Sequence, residues 1–404
     1  MTEVSAPVRV LLLEQIHSDA EDILRSAGFE VQTMARALDE QELIEAVSGV
    51  HMLGIRSKTH VTERVLDAAD SLLAIGAFCI GTNQIDLDAA SDRGIAVFNA
   101  PFSNTRSVVE LALAEIIAMT RRLFEKNSLM HAGVWDKSAD GAHEIRGRTL
   151  GIIGYGNIGT QLSVLAENLG MRVIFFDTHD KLALGNARRM NTVEELLAEA
   201  DVVTLHVDGR ASNKGIFGEA EFAQMKPGAL FLNLSRGFVV DDVALAARIA
   251  SGAIGGASID VFPTEPKGRG DEFVSALRGM PNVILTPHIG GSTEEAQQDI
   301  GRFVAGKLRD FVTDGATAMS VNVPGLALPQ PPDTNRFILI HRNVPGVMAT
   351  INGILADHKA NVEAQLLGTR GEFGYVVTDI SASLTEDMLD QLRGLPETVR
   401  LRVV

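Results

Sequence analysis

Short apolar runs alternate with helix-length amphipathic segments over the first hundred residues of the chain. The runs are VRVLLLE, FEVQTM, VHMLGI, LLAIGAF and GIAVFNAP, and helical patterns such as SDAEDILRSAG and DEQELIEAV separate them. This alternation is typical of βαβ units, and nearly continuous apolar strands suit a parallel sheet that is covered on both faces. The pattern predicts an α/β fold with a doubly wound parallel sheet, followed by a long amphipathic helix over 107–124.

A second series of six apolar runs follows a polar, glycine-containing segment at 135–147. The runs are TLGIIGYG, RVIFFD, DVVTLHV, GALFLNLS, GASIDVF and NVILTPH, and each is separated from the next by a stretch long enough for a helix. Nearly all of them are continuously apolar, which again indicates parallel strands that are buried on both faces. We predict a second Rossmann-like parallel sheet from these runs.

The pattern changes after Val321. The stretch VNVPGLALPQPPDTN contains four prolines and has no periodicity, which is typical of a linker. The last segment, 335–404, has the apolar pattern of a strand, a helix, two strands, a helix and a strand. This βαββαβ order is the ferredoxin-like arrangement, so we predict a small third domain.

Composition excludes several classes of function. The length of 404 residues suits two or three domains, and the net charge of −16 without clustered Lys and Arg argues against a nucleic-acid partner. No run approaches the ~18 to 20 apolar residues that a membrane span needs. The single Cys79 allows neither an internal disulfide nor a cysteine metal cluster, and the N-terminus lacks the pattern of a secretion signal. We expect a cytoplasmic protein with no metal and no membrane partner.

The second series opens on a glycine motif. GIIGYGNIG places Gly154, Gly156 and Gly159 in the spacing G-x-G-x-x-G, directly after a predicted strand and at the start of a predicted helix. Alone, this motif also fits a strand-to-helix turn with no ligand. Asp177, however, ends the next strand 18 residues after Gly159, where a carboxylate binds the adenosine ribose hydroxyls and repels a 2′-phosphate. The combination predicts NAD, with its pyrophosphate at the helix N-terminus.

Polar residues follow three further strands of this series. Arg236 comes after FLNLS, Asp260 and Glu265 lie in GASIDVFPTEP, and His288 ends NVILTPH. Because ligands of an open α/β sheet bind beyond the carboxyl ends of its strands, we expect these side chains to converge beside the cofactor. Each of them alone would fit a surface or capping role, and only their combination indicates catalysis.

This set of residue types suits the oxidation of a 2-hydroxy acid. His288 is the predicted acid/base, since its ordinary pKa lies near neutral pH, and Glu265 would raise that pKa and orient the imidazole. Arg236 offers a guanidinium fork for the substrate carboxylate. We interpret Gly290 and Gly291, directly after the histidine, as a hinge that lets a domain close over it.

The segments GIIGYGNIG, LHV, NLSRG, IDVFPTEP and LTPHIGGST, in this order, resemble the D-isomer-specific 2-hydroxyacid dehydrogenase family over almost the whole chain. The resemblance implies that Arg236, Glu265 and His288 are catalytic. The residues implied to bind the cofactor are Gly154, Gly156, Asn157, Ile158, Gly159, Asp177, His206, Ser235, Arg236, Asp260 and His288.

The resemblance also implies a discontinuous architecture. Residues 1–100 and 291–325 are expected to form the substrate-binding domain around an NAD-binding domain at 101–290. A linker at 326–334 and a regulatory domain at 335–404 would complete the chain.

The run IRSKTHVT is the best candidate for a phosphate site. Arg56, Ser57 and Lys58 follow a predicted strand and can donate hydrogen bonds to an anion, although a solvated basic turn fits equally well. The family resemblance implies NAD-dependent oxidation of 3-phospho-D-glycerate to 3-phosphohydroxypyruvate, the first step of serine biosynthesis. It leaves open whether 2-oxoglutarate is also reduced. The implied substrate contacts are Arg56, Ser57, Gly81, Asn104, Lys137 and Arg236.

The C-terminal unit resembles an ACT domain. The resemblance implies that His341, Asn343 and Asn361 bind L-serine as a feedback inhibitor, although Asn343 would equally suit a helix cap. Arg342 replaces an acidic residue of some serine-inhibited relatives, which bears on the strength of inhibition. ACT domains typically pair edge to edge and so close an exposed strand edge, and we expect a homotetramer.

Two other functions fit part of this pattern. The chain could be another D-2-hydroxyacid dehydrogenase, acting on glycerate, lactate or 2-hydroxyglutarate, but the Arg56-Ser57-Lys58 cluster and the ACT unit argue against the first two. It could also be an NADH-sensing interaction protein like the corepressors built on this fold. The ACT unit and the lack of a basic or low-complexity partner segment argue against that function.

Overall fold

The computed structural model describes residues 7–266 and 270–404. Their contacts divide the chain into two compact units. Unit 1 comprises Met1–Ser103 and Gln297–Val404, and unit 2 comprises Asn104–Ala296. The finer division into a substrate-binding domain, a linker and a regulatory domain stays a prediction.

The N-terminal part of unit 1 is built from alternating strands and helices. The strands are β1 (Arg9–Leu12), β2 (Glu30–Thr33), β3 (Met52–Ile55), β4 (Ala74–Ala77) and β5 (Ala96–Asn99), and the helices are α1 (Ser18–Ser26), α2 (Glu40–Ala46), α3 (Glu63–Ala68) and α4 (Leu87–Asp92). All strand pairs are parallel, in the order β2-β1-β3-β4-β5.

Successive residues of these strands enter two different hydrophobic cores. Leu11, Leu53, Ile75 and Val97 pack on one face of the sheet. Their neighbours Val10, Met52, Ala74 and Ala96 pack on the other. The strands are apolar without interruption because both faces are covered.

Unit 2 begins with two helices, α5 (Thr105–Thr120) and α6 (Leu123–His131). The prediction of one helix over 107–124 is wrong, because Arg122 takes a left-handed conformation with φ of 52° and α6 starts after it. The strands are β6 (Thr149–Ile153), β7 (Arg172–Phe176), β8 (Arg188–Arg189), β9 (Val202–Leu205), β10 (Ala229–Asn233), β11 (Ile254–Ile259) and β12 (Val283–Leu285). The helices between them are α7 (Asn157–Asn168), α8 (Val193–Glu199), α9 (Glu219–Gln224) and α10 (Asp242–Ala250).

These strands form one parallel sheet in the order β12-β11-β10-β9-β6-β7-β8. The six predicted strands are present, and the two-residue β8 extends the edge of the sheet beside β7. The order reverses between β6 and β9, which are neighbours in the sheet although β7 and β8 lie between them in the chain. In doubly wound sheets this reversal creates a crevice at the carboxyl ends of the strands.

The long helix α11 (Glu294–Asp314) leads back into unit 1. The chain then forms β13 (Asn335–Arg342), α12 (Val347–Asp357), β14 (Val362–Arg370), β15 (Phe373–Ile380), α13 (Glu386–Arg393) and β16 (Thr398–Val403). Its antiparallel sheet has the order β14-β15-β13-β16, which confirms the ferredoxin-like prediction. The predicted fold class, two parallel α/β sheets and a small ACT-type sheet, is thereby confirmed.

Candidate active site

The glycine loop after β6 is shaped by close backbone contacts. Gly154 has φ of +95°, and a Cβ at this position would lie 2.5 Å from the carbonyl oxygen of His206. A Cβ on Gly159 would collide with the carbonyl oxygen of Gly154. Gly156, which caps α7, is different, because nothing lies within 4 Å of its Cβ position. Two glycines therefore close the turn, and the third leaves open space at the N-terminus of α7, where a pyrophosphate would fit.

Asp177 is fixed to this loop. Its Oδ2 accepts the backbone N–H of Tyr155 at 2.8 Å, and its Oδ1 accepts that of His179 at 2.9 Å. The side chain is only 12% exposed. The carboxylate thus follows β7 as predicted and is held beside the glycine loop, although its contact with a ribose stays a prediction. The other two predicted loop residues, Asn157 and Ile158, form the first turn of α7.

His206 follows β9 with a neutral imidazole. Burial lowers its pKa to about 4. Its Nε2 is 3.0 Å from the hydroxyl of Thr204, while its buried Nδ1 has no hydrogen-bond partner within the described residues. The hydroxyl of Ser235, another predicted cofactor residue, donates a hydrogen bond within the protein, to Asn233 Oδ1 at 2.7 Å. The unpaired nitrogen of His206 and the open space at Gly156 together fit a dinucleotide.

His288 and Glu265 form a hydrogen-bonded pair. The Nδ1 atom of His288 is 3.1 and 3.0 Å from the two carboxylate oxygens of Glu265. This hydrogen bond raises the pKa of His288 above its ordinary value, against the opposing effects of burial and of the Arg236 charge. Burial is the largest single effect on Glu265 and acts to raise its pKa, but the hydrogen bond and charge of His288, the N–H of Phe262 and the charge of Arg236 together lower it. The structure thus brings the predicted base and its predicted orienting carboxylate into contact, and their catalytic roles stay predictions.

The backbone around His288 is held by Asp260. The Asp260 carbonyl accepts the N–H of His288 at 2.8 Å. Its carboxylate accepts the N–H groups of Ile289 and Gly290, both at 2.8 Å, and the hydroxyl of Thr286 at 2.6 Å. His288 has φ of 54°, which is rare for a residue with a side chain and is found where the surroundings enforce it. Asp260 therefore serves this loop, and its predicted contact with the cofactor stays a prediction.

Close packing explains the two glycines after His288. A Cβ on Gly290 would lie 3.0 Å from Asp260 Oδ2 and 3.4 Å from Val108. A Cβ on Gly291 would collide with the side chain of Asn104. These contacts give both positions a reason for glycine that does not depend on the predicted hinge.

Arg236 follows β10 and is partly buried. Its Nη1 donates to the carbonyl of Ser235 at 2.7 Å, and its charge acts to lower the pKa of both Glu265 and His288. A guanidinium so placed gives the pair a neighbouring cation. The three predicted catalytic residues therefore share the carboxyl edge of the unit 2 sheet, at the ends of β10, β11 and β12.

The predicted phosphate loop lies in unit 1, after β3. Its backbone is held by Glu14, which the sequence analysis did not identify. The Glu14 carboxylate accepts the N–H groups of Arg56, Lys58 and Thr59 at 3.2, 3.0 and 2.8 Å. Glu14 is only 8% exposed and ends the run VRVLLLE, and this acid at a strand end was the available signal. The side chain of Ser57 is exposed, as a phosphate site requires.

Gln84 is a second residue that the sequence analysis did not identify. Its Nε2 donates to the carbonyl oxygens of Arg56, at 2.6 Å, and of Gly81, at 3.3 Å. One buried amide thus ties together the two loops for which substrate contacts were predicted. Nothing in the residue type announces this role, because it depends on two loops that are distant in sequence.

The remaining predicted substrate residues belong to unit 2. Asn104 precedes α5 and packs against Gly291, which places it next to the His288 loop. Lys137 is exposed on the segment after α6 and is not part of the hydrogen-bonded cluster around His288. The structure thus brings Asn104 to the site and leaves Lys137 outside it.

The predicted effector residues lie at opposite ends of the antiparallel sheet: His341 pairs with Gly374 at one end, whereas Asn361 precedes Val362, which pairs with Ile380 at the other. His341 is 1% exposed, and its Nε2 has no partner in the described parts of the chain. The backbone N–H of Asn343 donates to the Glu372 carbonyl at 2.8 Å, and its side-chain amide donates to the Gly371 carbonyl at 3.3 Å. Asn343 therefore holds the β14–β15 turn, and the capping alternative is wrong, because Gly346 caps α12. Asn361 is exposed just before β14.

Two negative findings concern the described residues alone. No helix among them combines the length and the apolar character needed to cross a membrane. No group of His, Cys, Asp and Glu side chains within 7–266 and 270–404 could hold a metal ion.

A glycine cradle, a fixed acid and a histidine–carboxylate pair at one sheet edge define an NAD-binding dehydrogenase. The NAD binding domain model of D-isomer specific 2-hydroxyacid dehydrogenases matches residues 113–290, and an AHAS small subunit-like ACT domain matches residues 337–400. The chain belongs to the D-isomer specific 2-hydroxyacid dehydrogenase family, and it carries a C-terminal ACT domain.

Relatives of known activity extend this likeness over the whole chain. The D-3-phosphoglycerate dehydrogenase of Haemophilus influenzae is 49% identical over 398 residues, covering 98% of this chain and 97% of that protein. The D-3-phosphoglycerate dehydrogenase 1 of Saccharomyces cerevisiae is 45% identical over 412 residues, covering 98% and 87%. The solved structure of the TT0316 protein from Thermus thermophilus has a TM-score of 0.71 at 30% identity, covering 78% of this chain and 100% of that one.

Proposed function

We propose that this protein oxidises 3-phospho-D-glycerate to 3-phosphohydroxypyruvate with NAD, the first step of serine biosynthesis. The observation that carries the proposal is the His288–Glu265 pair, with Arg236 beside it, at the same sheet edge as the glycine cradle. The nearly full-length likeness to D-3-phosphoglycerate dehydrogenases supports the choice of substrate.

The proposed reaction removes a proton from the substrate hydroxyl and a hydride from C2, the carbon that bears this hydroxyl. Bound NAD supplies the hydride acceptor. Because Nδ1 of His288 is engaged by Glu265, its Nε2 is the nitrogen that takes the hydroxyl proton. Glu265 then stabilises the imidazolium, as a carboxylate does in other carboxylate–histidine pairs.

Arg236 completes the proposed chemistry. Its guanidinium holds the substrate carboxylate in a fork of two hydrogen bonds and orients C2 for hydride loss. The groups proposed to hold the rest of the substrate are the Arg56 and Ser57 side chains for the phosphate, the Gly81 backbone, and Asn104. Lys137, which lies outside the cluster around His288, is proposed only as a further contact to the phosphate.

The proposed regulation is feedback inhibition by L-serine at the ACT domain. The unpaired buried Nε2 of His341 and the neighbouring Asn343 side chain would form one part of the site. Asn361 lies at the other end of the sheet, so in this proposal it reaches the serine from the ACT domain of a second chain. We further propose a homotetramer in the cytoplasm. The proposals of serine inhibition and of a tetramer rest on the sequence analysis and on the ACT match at 337–400.

A substrate panel tests the proposal. Initial rates of NADH formation are compared for 3-phospho-D-glycerate, D-glycerate, D-lactate and D-2-hydroxyglutarate, and rates of NADH consumption are measured with 2-oxoglutarate. We expect 3-phospho-D-glycerate to exceed D-glycerate in kcat/KM, and Arg56→Ala to reduce that preference at least about tenfold, the value of one charged contact. The matched control is Arg64→Ala, an exposed arginine of α3 that pairs with Glu40.

Each other outcome of the panel identifies a different protein. Preference for an unphosphorylated acid would indicate another D-2-hydroxyacid dehydrogenase. NAD binding without turnover of any substrate would indicate the cofactor-sensing interaction protein instead.

A further inference from the structure

Glu115 is a buried carboxyl group that the proposed reaction does not use. It lies on α5 and is 3% exposed. Neither of its carboxyl oxygens has a hydrogen-bond partner in the part of the chain that the structure describes, and the same holds for the fully buried hydroxyl of Ser258 on β11. Ser258 is close enough to lower the pKa of Glu115, yet the two side chains do not reach hydrogen-bond geometry. Such an arrangement is costly and calls for a reason.

Asp260, two residues after Ser258, is a second buried carboxyl group and is 1% exposed. Its carboxylate accepts three hydrogen bonds, from the N–H groups of Ile289 and Gly290 and from the hydroxyl of Thr286. Asp260 is the one ionisable group in the described ranges whose charge acts on Glu115. The charge of Asp260 also acts on His288 and raises its pKa. The charge of Glu265 raises the pKa of His288 as well, and the charge of Arg236 lowers it.

Two neighbouring buried carboxyl groups do not ionise independently. Burial chiefly raises the pKa of Glu115, the Ser258 hydroxyl opposes it, and the charge of Asp260 raises it further, to about 7. Three donors already reach the Asp260 oxygens and none reaches those of Glu115, so we place the proton of the two groups on Glu115.

Helix α5 also touches the His288 loop directly. Val108 precedes Glu115 by seven residues, two helical turns, and so lies on the same face of the helix. Val108 is 3.4 Å from the Cβ position of Gly290. The same face of α5 therefore carries both Val108, which packs on the His288 loop, and Glu115.

We infer that Glu115 is a positioning residue for His288, acting through Asp260. As a neutral acid it leaves Asp260 as the single buried anion that holds Ile289 and Gly290. When Glu115 ionises, a second anion beside Asp260 weakens that hold and loosens the loop. The catalytic part of this inference rests on the proposed role of His288, whereas the effect on the loop does not.

The test compares Glu115→Gln with Glu110→Gln in the full-length protein. Glutamine has the shape of the neutral acid and cannot ionise, and Glu110 is an exposed residue of the same helix that pairs with Arg106. Amide hydrogen exchange of the peptide containing 286–291 and kcat/KM are followed from about pH 5.5 to about pH 8.5. This range brackets the raised pKa of Glu115, about 7. The exchange rate and the kcat/KM of each variant are divided by the wild-type values measured at the same pH.

We expect the wild type and Glu115→Gln to agree at the acid end. Above pH about 7 the wild-type loop should exchange several-fold faster than that of Glu115→Gln, and its kcat/KM should fall by a similar factor relative to the variant. Glu110→Gln should track the wild type throughout.

Ser258→Ala provides a second, independent arm. It removes the hydroxyl that lowers the pKa of Glu115, so the midpoint of the loop's pH dependence should move to higher pH. Ratios that stay flat with pH in both exchange and kcat/KM, or an unmoved midpoint in Ser258→Ala, would overturn the inference. Absence of turnover in the wild type would instead count against the proposed function, because hydrogen exchange is measured without substrate.

Discussion

The Nδ1 atom of His288 lies 3.0 and 3.1 Å from the two carboxylate oxygens of Glu265. A residue whose backbone is held at φ of 54° therefore also has its imidazole held by a carboxylate fork. One ring nitrogen is used for orientation, and Nε2 is left for the substrate. This arrangement fixes both where the base is and which of its nitrogens is basic.

Replacing Glu265 by Gln should move the pH profile of the enzyme. The base must be neutral, so oxidation rises as the pH passes upward through the pKa of His288, which Glu265 raises. In Glu265→Gln that pKa falls toward its ordinary value of 6.5, and the acid limb of kcat/KM moves to lower pH. We expect kcat/KM at the optimum to fall about 10²-fold, because the imidazolium loses its counter-charge.

The control for this shift is Glu219→Gln, an exposed glutamate that pairs with Arg248. Its profile should match that of the wild type. An acid limb that does not move in Glu265→Gln would mean that the limb belongs to another group.

Two glycine substitutions should separate folding from cofactor binding. Alanine at Gly159 meets the carbonyl oxygen of Gly154, so Gly159→Ala should lower the free energy of unfolding by about 1–3 kcal/mol. Alanine at Gly156 has nothing within 4 Å, so Gly156→Ala should melt like the wild type but bind NADH at least about tenfold more weakly. Thermal melting and NADH fluorescence measure both effects, and normal NADH affinity in Gly156→Ala would place the pyrophosphate elsewhere.

Asp177 should determine the choice between NAD and NADP. Asp177→Asn removes the negative charge and keeps one oxygen for the backbone N–H of Tyr155 or His179. We expect the ratio of kcat/KM for NADP to that for NAD to rise at least about tenfold, because the repulsion of a 2′-phosphate is lost. Asp180→Asn, three residues on and 93% exposed, should leave the ratio unchanged. A ratio that is the same in both variants would contradict the role assigned to Asp177.

The ACT domain should communicate with α4 of the N-terminal parallel sheet through Arg342. This side chain pairs with Asp92, the last residue of α4, at 2.9 Å and lies 4.6 Å from the ring centre of Phe373, while Asn343 holds the β14–β15 turn. An exposed ion pair is worth about 0.2–1 kcal/mol, so Arg342→Ala should raise the half-inhibiting serine concentration by no more than about fivefold.

The double variant shows whether the pair acts as one contact. Arg342→Ala combined with Asp92→Ala should have no larger effect on serine inhibition than either change alone. Arg393→Ala, which breaks an exposed ion pair on α13, should leave inhibition as it is. Additive effects of the two changes would show that they act separately.

Sequence alone predicted the elements whose signal is local. The uninterrupted apolar runs predicted both parallel sheets, and the strand-end positions of Arg236, Asp260 and His288 predicted their shared edge. The αL turn at Arg122 was missed, because no glycine or proline marks it.

Sequence could not predict the side chains whose partners are distant in the chain. Glu14 holds a loop more than forty residues away, and Gln84 joins two separate loops. The burial of Glu115 against Ser258 arises only when α5 packs on β11. The glycines at 290 and 291 fitted a hinge in the sequence, and only the packing of Asp260 and Asn104 gives them a steric reason.

The most direct measurement is NADH formation by the purified protein with NAD and 3-phospho-D-glycerate, beside His288→Ala. We predict turnover in the wild type and a loss of about 10²- to 10⁴-fold in kcat for the variant. Equal rates in the two proteins, or NADH binding without turnover in the wild type, would contradict the assignment of His288 as the base of a dehydrogenase.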